Sequence, residues 1–232
     1  MATKIRSLGN ACLELIDKDD HLIFNPNYII SPEKGINHLF LTDIDPNHLN
    51  LEKINEIKKK FSRRIELNEE AEDEDEEAEE EEDEMELDLI IYGPETVKKE
   101  TELEIEVLKR NKEIIKLKDF QVEAHQVECF NTEACISYII RRGDITILFS
   151  GNTSKFSKNL RQLNEKIDYC FIPSIEEFFD HYLDFIKEVS PRVIFPHHFK
   201  TGEEEKAKNL VKIIREEGFE AQFLEIGDEF EF

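Results

Sequence analysis

The sequence predicts an α/β protein folded as an αββα sandwich, in which two mixed β-sheets face each other and helices cover their outer faces. Apolar runs of strand length follow one another through much of the chain, and strands alternate with helices in the last third. This order is typical of packed sheets with outer helices. With 232 residues, 39% of them hydrophobic, the chain can bury a sizeable core, and we assign residues 1–232 to a single domain.

Polar turns separate short apolar segments in the N-terminal half. Alternation of apolar and polar residues favours strands in this half, with Gly9 interrupting the first of them. One segment differs, because Leu51, Ile54 and Phe61 recur at the spacing of a helix face. The predicted elements are strands at residues 4–16, 21–24 and 38–42, a helix over 48–64, a strand at 87–92 and a short helix around Val97.

The pattern then changes to strands in series, joined by the turn signals Lys118-Asp119 and Gly143-Asp144. Such a series favours an antiparallel meander. In the last third, strand patterns and helical patterns alternate. The predicted elements are strands at 113–117, 120–128, 134–142 and 144–150, followed by a helix at 154–165, a strand at 168–172, a helix at 176–189, a strand at 192–196, a helix at 202–217 and a strand at 220–226.

The segment from Glu69 to Glu86 contains 15 acidic residues in 18 positions and no basic residue. It accounts for most of the net charge of −24, because the rest of the chain carries 39 acidic against 30 basic residues. Acidic side chains that cannot be buried do not offset the entropy lost on ordering, so we expect a disordered insertion at about 68–87. The insertion serves either as a solubilising loop or as a binding segment for a protein partner.

The composition also limits the partners and the compartment. No apolar run approaches the roughly 18 residues of a membrane span, and the N-terminus lacks the apolar stretch of a signal peptide, so we expect a cytoplasmic protein. Lysine and arginine do not form the broad basic face that nucleic-acid binding needs. The cysteines, Cys12, Cys129, Cys135 and Cys170, lack CxxC spacing and lie mostly in apolar segments, which predicts reduced core residues.

The most informative stretch is HLFLTDIDPNH at residues 38–48, where an apolar strand runs into a polar loop. On extended backbone Asp43 and Asp45 share one face, and His48 opens the next helix and can reach back towards them. Backbone that leaves a buried strand is where α/β proteins place binding side chains. The spacing D-x-D-x-N-H therefore indicates either a cluster of metal-binding donors or a polar turn that caps the helix.

Other polar side chains also follow apolar runs. Asn10 comes after the first strand, His125 lies in the meander, Asn152 follows ILFSG and His198 follows VIFPH. A single histidine at a strand end is most often a hydrogen-bonded structural residue, but several strand ends on one edge of a sandwich can converge. The side chains that we expect to line one pocket are Asp43, Asp45, His48, His125, Asn152 and His198.

These motifs resemble those of the metallo-β-lactamase fold hydrolases, in particular the branch that contains ascorbate-6-phosphate lactonase. The resemblance spans the chain apart from the acidic segment, and His125 falls where that family has its third histidine. The stretches that carry it are Ser7-Leu8-Gly9-Asn10-Ala11 beside L-G-H-A, Leu22-Ile23-Phe24-Asn25-Pro26 beside I-D-P, residues 41–48 beside T-H-x-H-x-D-H, Ser150-Gly151-Asn152-Thr153 beside G-D-T, and Phe195-Pro196-His197-His198-Phe199 beside P-x-H-[YF].

The resemblance implies two cations, usually zinc, that hold a hydroxide for attack on an ester, lactone or phosphodiester. This chain departs from the family's ligands, since Asp43 and Asp45 stand in place of histidines, and Asn47 and Asn152 in place of aspartates. A neutral Asn152 cannot neutralise the charge between two dications. The expected metal content is therefore one cation at most.

Asp43, Asp45 and His125 are the expected main ligands of that cation, with Asn152 as a neutral oxygen donor. Oxygen-rich ligand sets shift the preference from zinc towards manganese or iron(II). The other half of the family's arrangement keeps His48 and His198 but has lost its carboxylates, so we expect it to bind a cation only weakly.

Two functions remain open on the sequence. The first is a metal-dependent hydrolase with an altered, mononuclear site that acts on small phosphorylated or cyclic esters, with Asp45, Asn47 and His48 at the catalytic positions. The second is a catalytically inactive relative, which needs no metal and binds a small-molecule ligand or a protein partner. Metal content and hydrolysis of generic phosphodiester and lactone substrates distinguish the two.

Overall fold

The structure is a computed structural model, which describes residues 2–66, 85–109, 111–130, 132 and 134–232. Most of the acidic segment predicted to be disordered therefore lies outside the described residues. Its C-terminal boundary, predicted at about 87, is wrong, because Met85–Asp88 is a strand that pairs antiparallel with Arg63–Glu66. An ion pair between Arg63 and Asp88 joins the two strands.

Strands predominate among the described residues, and short α-helices connect some of them. In chain order the strands are β1 (Lys4–Gly9), β2 (Cys12–Ile16), β3 (His21–Phe24), β4 (His38–Phe40), β5 (Arg63–Glu66), β6 (Met85–Asp88), β7 (Ile90–Gly93), β8 (Glu106–Val107), β9 (Glu113–Lys116), β10 (Gln121–Cys129), β11 (Cys135–Arg142), β12 (Ile145–Phe149), β13 (Thr153–Lys155), β14 (Tyr169–Pro173), β15 (Val193–His197) and β16 (Glu229–Glu231). The α-helices are α1 (Leu51–Glu56), α2 (Glu95–Glu100), α3 (Lys158–Arg161), α4 (Phe179–Val189) and α5 (Glu204–Glu216).

Two mixed sheets form the centre of the protein. The first has the strand order β16-β1-β2-β3-β4-β7-β8, with parallel pairing from β3 to β8 and antiparallel pairing elsewhere. The second has the order β13-β10-β11-β12-β14-β15, and β9 also pairs with β10. Strands β9 to β12 form the predicted antiparallel meander, whereas β12, β14 and β15 run parallel.

Apolar side chains from both sheets meet in one central cluster. Phe24 and Phe40 of the first sheet pack against Tyr138 and Phe149 of the second, and all four side chains are fully buried. A second cluster lies between the second sheet and helices α3, α4 and α5, and a third lies between the first sheet and helices α1 and α2. The layers are therefore helix, sheet, sheet, helix, which confirms the predicted fold class. None of the helices among the described residues has the length and hydropathy to cross a membrane.

The single strand predicted over residues 4–16 is wrong, because the chain reverses there to form the hairpin of β1 and β2. Gly9 and Asn10 form the turn with φ of +95° and +51°. Glycine adopts positive φ without strain, and asparagine tolerates it better than most residues, so the sequence G-N suits this reversal.

Two predicted helices are too long. The helix predicted over 48–64 begins only after Asn50, whose side chain accepts hydrogen bonds from the amides of Glu52 and Lys53, and continues as a π-helix at Ile57–Phe61 before β5. The helix predicted over 154–165 shrinks to α3, because Thr153–Lys155 is a strand paired with β10. The Ser157 hydroxyl caps α3.

The strand predicted at 220–226 is also wrong. Only Ala221 makes an isolated bridge there, to Ile194, and the strand forms further on at Glu229–Glu231, where it pairs with β1. Asp228 accepts a hydrogen bond from the Glu225 amide in the turn between them.

Candidate metal centre

The polar loop after β4 is fixed to the core by hydrogen bonds before it reaches its charged residues. The Tyr138 hydroxyl donates to the carbonyl of Leu41 at 2.7 Å, which links the two sheets. The amide and the hydroxyl of Thr42 both donate to Asn25 Oδ1 at 3.0 Å. These bonds fix the backbone that presents Asp43.

Asp43 and His48 form a buried pair. His48 Nδ1 lies 2.9 Å from Asp43 Oδ2 and 3.0 Å from Oδ1, and both residues are fully buried. Burial alone would raise the pKa of Asp43, but attraction to His48, together with hydrogen bonds from His48, the Asp45 amide and Thr42, lowers the pKa below its usual value. The ionised carboxylate therefore fixes the proton of His48 on Nδ1 and leaves Nε2 as the free ring atom.

Asp45 and Asn152 meet from opposite sheets. Asp45 Oδ1 accepts from the backbone amide of Asn47 at 2.8 Å and from its side-chain amide at 2.9 Å. Asn152 Nδ2 donates to Asp45 Oδ2 at 3.3 Å and to the Phe130 carbonyl at 2.8 Å. Because Nδ2 has two acceptors, the orientation of the Asn152 amide is determined, and its Oδ1 points elsewhere.

His198 follows β15 and completes the cluster. Its ring lies edge-on to that of His48, with 4.9 Å between the ring centroids. Burial, reinforced by the neighbouring His48, lowers the pKa of His198 to about 4, so its imidazole is neutral at physiological pH. A neutral imidazole offers a nitrogen lone pair to a cation.

Three buried polar atoms of this cluster have no hydrogen-bond partner among the described residues: His48 Nε2, His198 Nε2 and Asn152 Oδ1. Buried polar atoms are nearly always satisfied, so three in one cluster indicate a missing partner. Asp45 adds a fourth atom, since the bond that Oδ2 accepts from Asn152 is long. Two imidazoles, an amide oxygen and a carboxylate are all suitable ligands for one divalent cation.

His125 is the predicted site residue that the structure does not bring to this cluster. Along β10, Ala124 faces the core between the two sheets, and Val127 faces the helices. Side chains alternate along a strand, so His125, two residues before Val127, also lies on the outer, helix-facing side of β10. Its Nε2 lies 3.0 Å from a Glu123 carboxylate oxygen. Among the described residues, neither Asp43, Asp45 and His125 nor Asp45, His48 and His198 form a group whose ligand atoms all lie within 4.8 Å of one another. The expected main ligand set is therefore not assembled.

Two cysteines at the cluster are linked to each other, which was not expected from the sequence. Cys129 and Cys135 form a disulfide, so the prediction that all four cysteines are reduced is wrong for this pair, whereas Cys12 and Cys170 are free and buried. Cys135 Sγ lies 3.4 Å from Asp43 Oδ2. The sequence did contain an indication of this disulfide, because the predicted antiparallel strands 120–128 and 134–142 place the two cysteines at the two ends of one connecting loop.

The two facing sheets with outer helices match the architecture of solved metallo-β-lactamase fold structures. No protein-family model and no curated protein sequence matches the chain. Solved structures do resemble it. Igni18, a metallo hydrolase from Ignicoccus hospitalis, is 10% identical with a TM-score of 0.71, covering 100% of this chain and 99% of its own.

YhfI from Bacillus subtilis, a metallo-β-lactamase fold protein, is 10% identical with a TM-score of 0.69 and covers 100% of this chain and 99% of its own. The similarity extends to CmlA, a diiron β-hydroxylase from Streptomyces venezuelae, which is 12% identical with a TM-score of 0.70. This match covers 99% of the present chain and 54% of CmlA. At these identities the similarity concerns the fold, and the chemistry has to be argued from the residues of this chain.

Proposed function

We propose that the protein is a metal-dependent hydrolase with a single-cation centre formed by His48, His198, Asn152 and Asp45. The observation that carries this proposal is the set of three buried polar atoms without partners among the described residues, His48 Nε2, His198 Nε2 and Asn152 Oδ1, on side chains that are in contact with one another or with Asp45. Binding of a cation there would draw His48 and His198 towards Asp45, since the ligand atoms of these three residues do not all lie within 4.8 Å of one another.

The residues fit one such cation better than two. In this centre Asp43 acts through His48 and not as a ligand, because its carboxylate accepts from Thr42, from the Asp45 amide and from His48. It supports the centre in another way. A histidine that binds a metal commonly donates its second ring N–H to a carboxylate, and Asp43 accepts that bond from His48.

The chain's own residues suggest how a hydrolytic step would be organised. Asp43 orients the imidazole of His48, and Asn47 holds Asp45 through two hydrogen bonds to Oδ1. Oδ2 is then the Asp45 oxygen that would hold the cation. A bound dication would supply Lewis acidity and lower the pKa of a coordinated water.

Manganese or iron(II) suits the ligands better than zinc, since two imidazoles combine in this centre with carboxylate and amide oxygens and no thiolate. We infer small phosphorylated or cyclic esters as the substrate class, as the motif resemblance to the branch of ascorbate-6-phosphate lactonase suggests. Asn47 and His198 are partly exposed and mark the side from which such a substrate would approach.

Equilibrium dialysis of chelator-treated protein against Mn²⁺ or Fe²⁺ tests this centre. We expect about one bound equivalent in the wild-type protein and a loss of roughly tenfold or more in affinity for His198→Ala and for Asp45→Ala. His125→Ala is the matched control, because it also removes a buried histidine and should leave binding unchanged. Binding that depends on His125 and not on His198 would refute the proposed ligand set.

Turnover separates the hydrolase from the inactive alternative. Metal-loaded protein should hydrolyse generic phosphodiester or lactone substrates, and Asp45→Asn should lose this activity while His125→Ala keeps it. A protein that binds one metal without hydrolysing any member of such a panel would instead be a ligand-binding relative.

A further inference from the structure

We infer that Cys129 and Cys135, once reduced, form a second metal site with Asp43, and that this site takes a thiophilic dication such as zinc. The disulfide between the two cysteines closes the site. It shares no coordinating atom with the centre on His48, His198, Asn152 and Asp45, and it does not depend on that centre being catalytic.

Cys135 and Asp43 already have the spacing of a shared ligand sphere, and Cys129 lies next to them. One ligand atom from each of Asp43, Cys129 and Cys135 lies within 4.8 Å of the others. Around a tetrahedral zinc with bonds of about 2.3 Å to sulfur and about 2.0 Å to oxygen, a sulfur and an oxygen lie about 3.5 Å apart. Cys135 Sγ and Asp43 Oδ2 are 3.4 Å apart.

The two cysteines are also placed to act as a pair. Their Cα atoms are 5.8 Å apart, and they lie at the end of β10 and the start of β11 on either side of one short loop. Two thiolates on one zinc need sulfur atoms about 3.8 Å apart. Rotation about the Cα–Cβ bonds achieves this separation once the disulfide is broken.

The charge at Asp43 favours a cation in the reduced state. Asp43 is fully buried, and its Oδ2 lies beside Cys135 as well as beside the Thr42 hydroxyl and His48. A disulfide sulfur has no proton to donate to that oxygen, whereas a thiol donates its proton and a thiolate shares a metal ion with it. A carboxylate with two thiolates is an anionic, soft ligand set, which selects zinc over manganese or magnesium.

Solvent reaches the pair at Cys129, since Cys135 is only 3% exposed. A cleft of about 440 Å³ is lined by Cys135, Gln126, Lys99 and Lys109, and Cys129 is itself partly exposed. A small dithiol can deliver two electrons and two protons, which breaks the S–S bond and releases the reductant as its own disulfide. The incoming dication then displaces the two thiol protons.

Cobalt binding tests the site, because Co²⁺ bound by thiolates gives a sulfur-to-metal charge-transfer band in the near ultraviolet that nitrogen and oxygen ligands do not give. Chelator-treated wild-type protein reduced with dithiothreitol and then freed of reductant should show this band and bind about one equivalent more Co²⁺ than the oxidised protein. The matched variants are Cys129→Ala and Cys135→Ala, which should lose the band, and Cys12→Ala, which should keep it.

The two proposed centres fail separately in this experiment. His198→Ala should lose the Co²⁺ ion bound by nitrogen and oxygen ligands and keep the thiolate charge-transfer band. Cys129→Ala and Cys135→Ala should lose the band and keep that Co²⁺ ion. Zn²⁺ should also slow alkylation of Cys129 and Cys135 in reduced wild-type protein, as measured by peptide mass. Equal alkylation rates with and without Zn²⁺, or a band that survives both cysteine substitutions, would overturn the inference.

Discussion

Replacing Gly151 by alanine should destabilise the protein by bringing two loops of the metal centre into collision. Gly151 precedes Asn152 and has φ of +61°. A Cβ atom there would lie 2.7 Å from Thr42 Cγ2 and 2.9 Å from Thr42 Cβ. Thr42 cannot easily move away, because Asn25 Oδ1 accepts hydrogen bonds from its amide and its hydroxyl.

The size of the effect follows from two contributions. A side chain in the left-handed region costs about 1–2 kcal/mol, and overpacking a buried contact costs about a further 1–3 kcal/mol. We therefore expect Gly151→Ala to lower the free energy of unfolding by about 2–5 kcal/mol. Displacing Thr42 also shifts Asp43 and His48, so Mn²⁺ should bind more weakly to this variant.

Gly143→Ala is the matched control, because Gly143 has a similar φ of +56° but a Cβ atom there would meet no atom within 4 Å. This variant should lose only about 1–2 kcal/mol, the backbone contribution. Urea unfolding followed by circular dichroism measures both variants, with unchanged m-values showing that the unfolded states are comparable. Equal losses in the two variants would refute the proposed collision between Gly151 and Thr42.

Two further predictions concern residues outside the metal centre. Tyr138→Phe leaves the buried carbonyl of Leu41 without its 2.7 Å donor, so urea unfolding should show a loss of about 1–3 kcal/mol, and an unchanged midpoint would contradict this. Hydrogen bonds from Tyr28 and from two lysines lower the pKa of Glu56 to about 2, so its contribution to stability is complete above the usual pKa of 4.5 and is lost as the pH falls through about 2. Tyr28→Phe should raise the pKa of Glu56 in an NMR titration, and identical titration curves for wild type and variant would show that the tyrosine bond is unimportant.

Local patterns predicted the elements whose formation depends on one amphipathic face. Helices α4 and α5 lie within the predicted ranges 176–189 and 202–217, because each repeats apolar residues at helical spacing over several turns. The helix predicted at 48–64 extended too far, since the pairing of β5 with β6 competes for its last residues. That pairing depends on residues distant in the sequence, which no local pattern reveals.

The sequence alone determined the meander, helices α4 and α5 and the loop that carries Asp43, Asp45 and His48, because hydrophobic periodicity and strand-end polarity are local properties. Only the tertiary structure decided which side chains meet. His125 faces away because side chains alternate along β10 and the packing of the two sheets determines which face is inward. The structure likewise joins Cys129 to Cys135 beside Asp43. It also pairs Asp43 with Nδ1 of His48, whereas Nε2 of His48 has no partner among the described residues. The contact of Cys135 with Asp43 and that of Asn152 with Asp45 join segments about a hundred residues apart, so they exist only once both sheets have assembled.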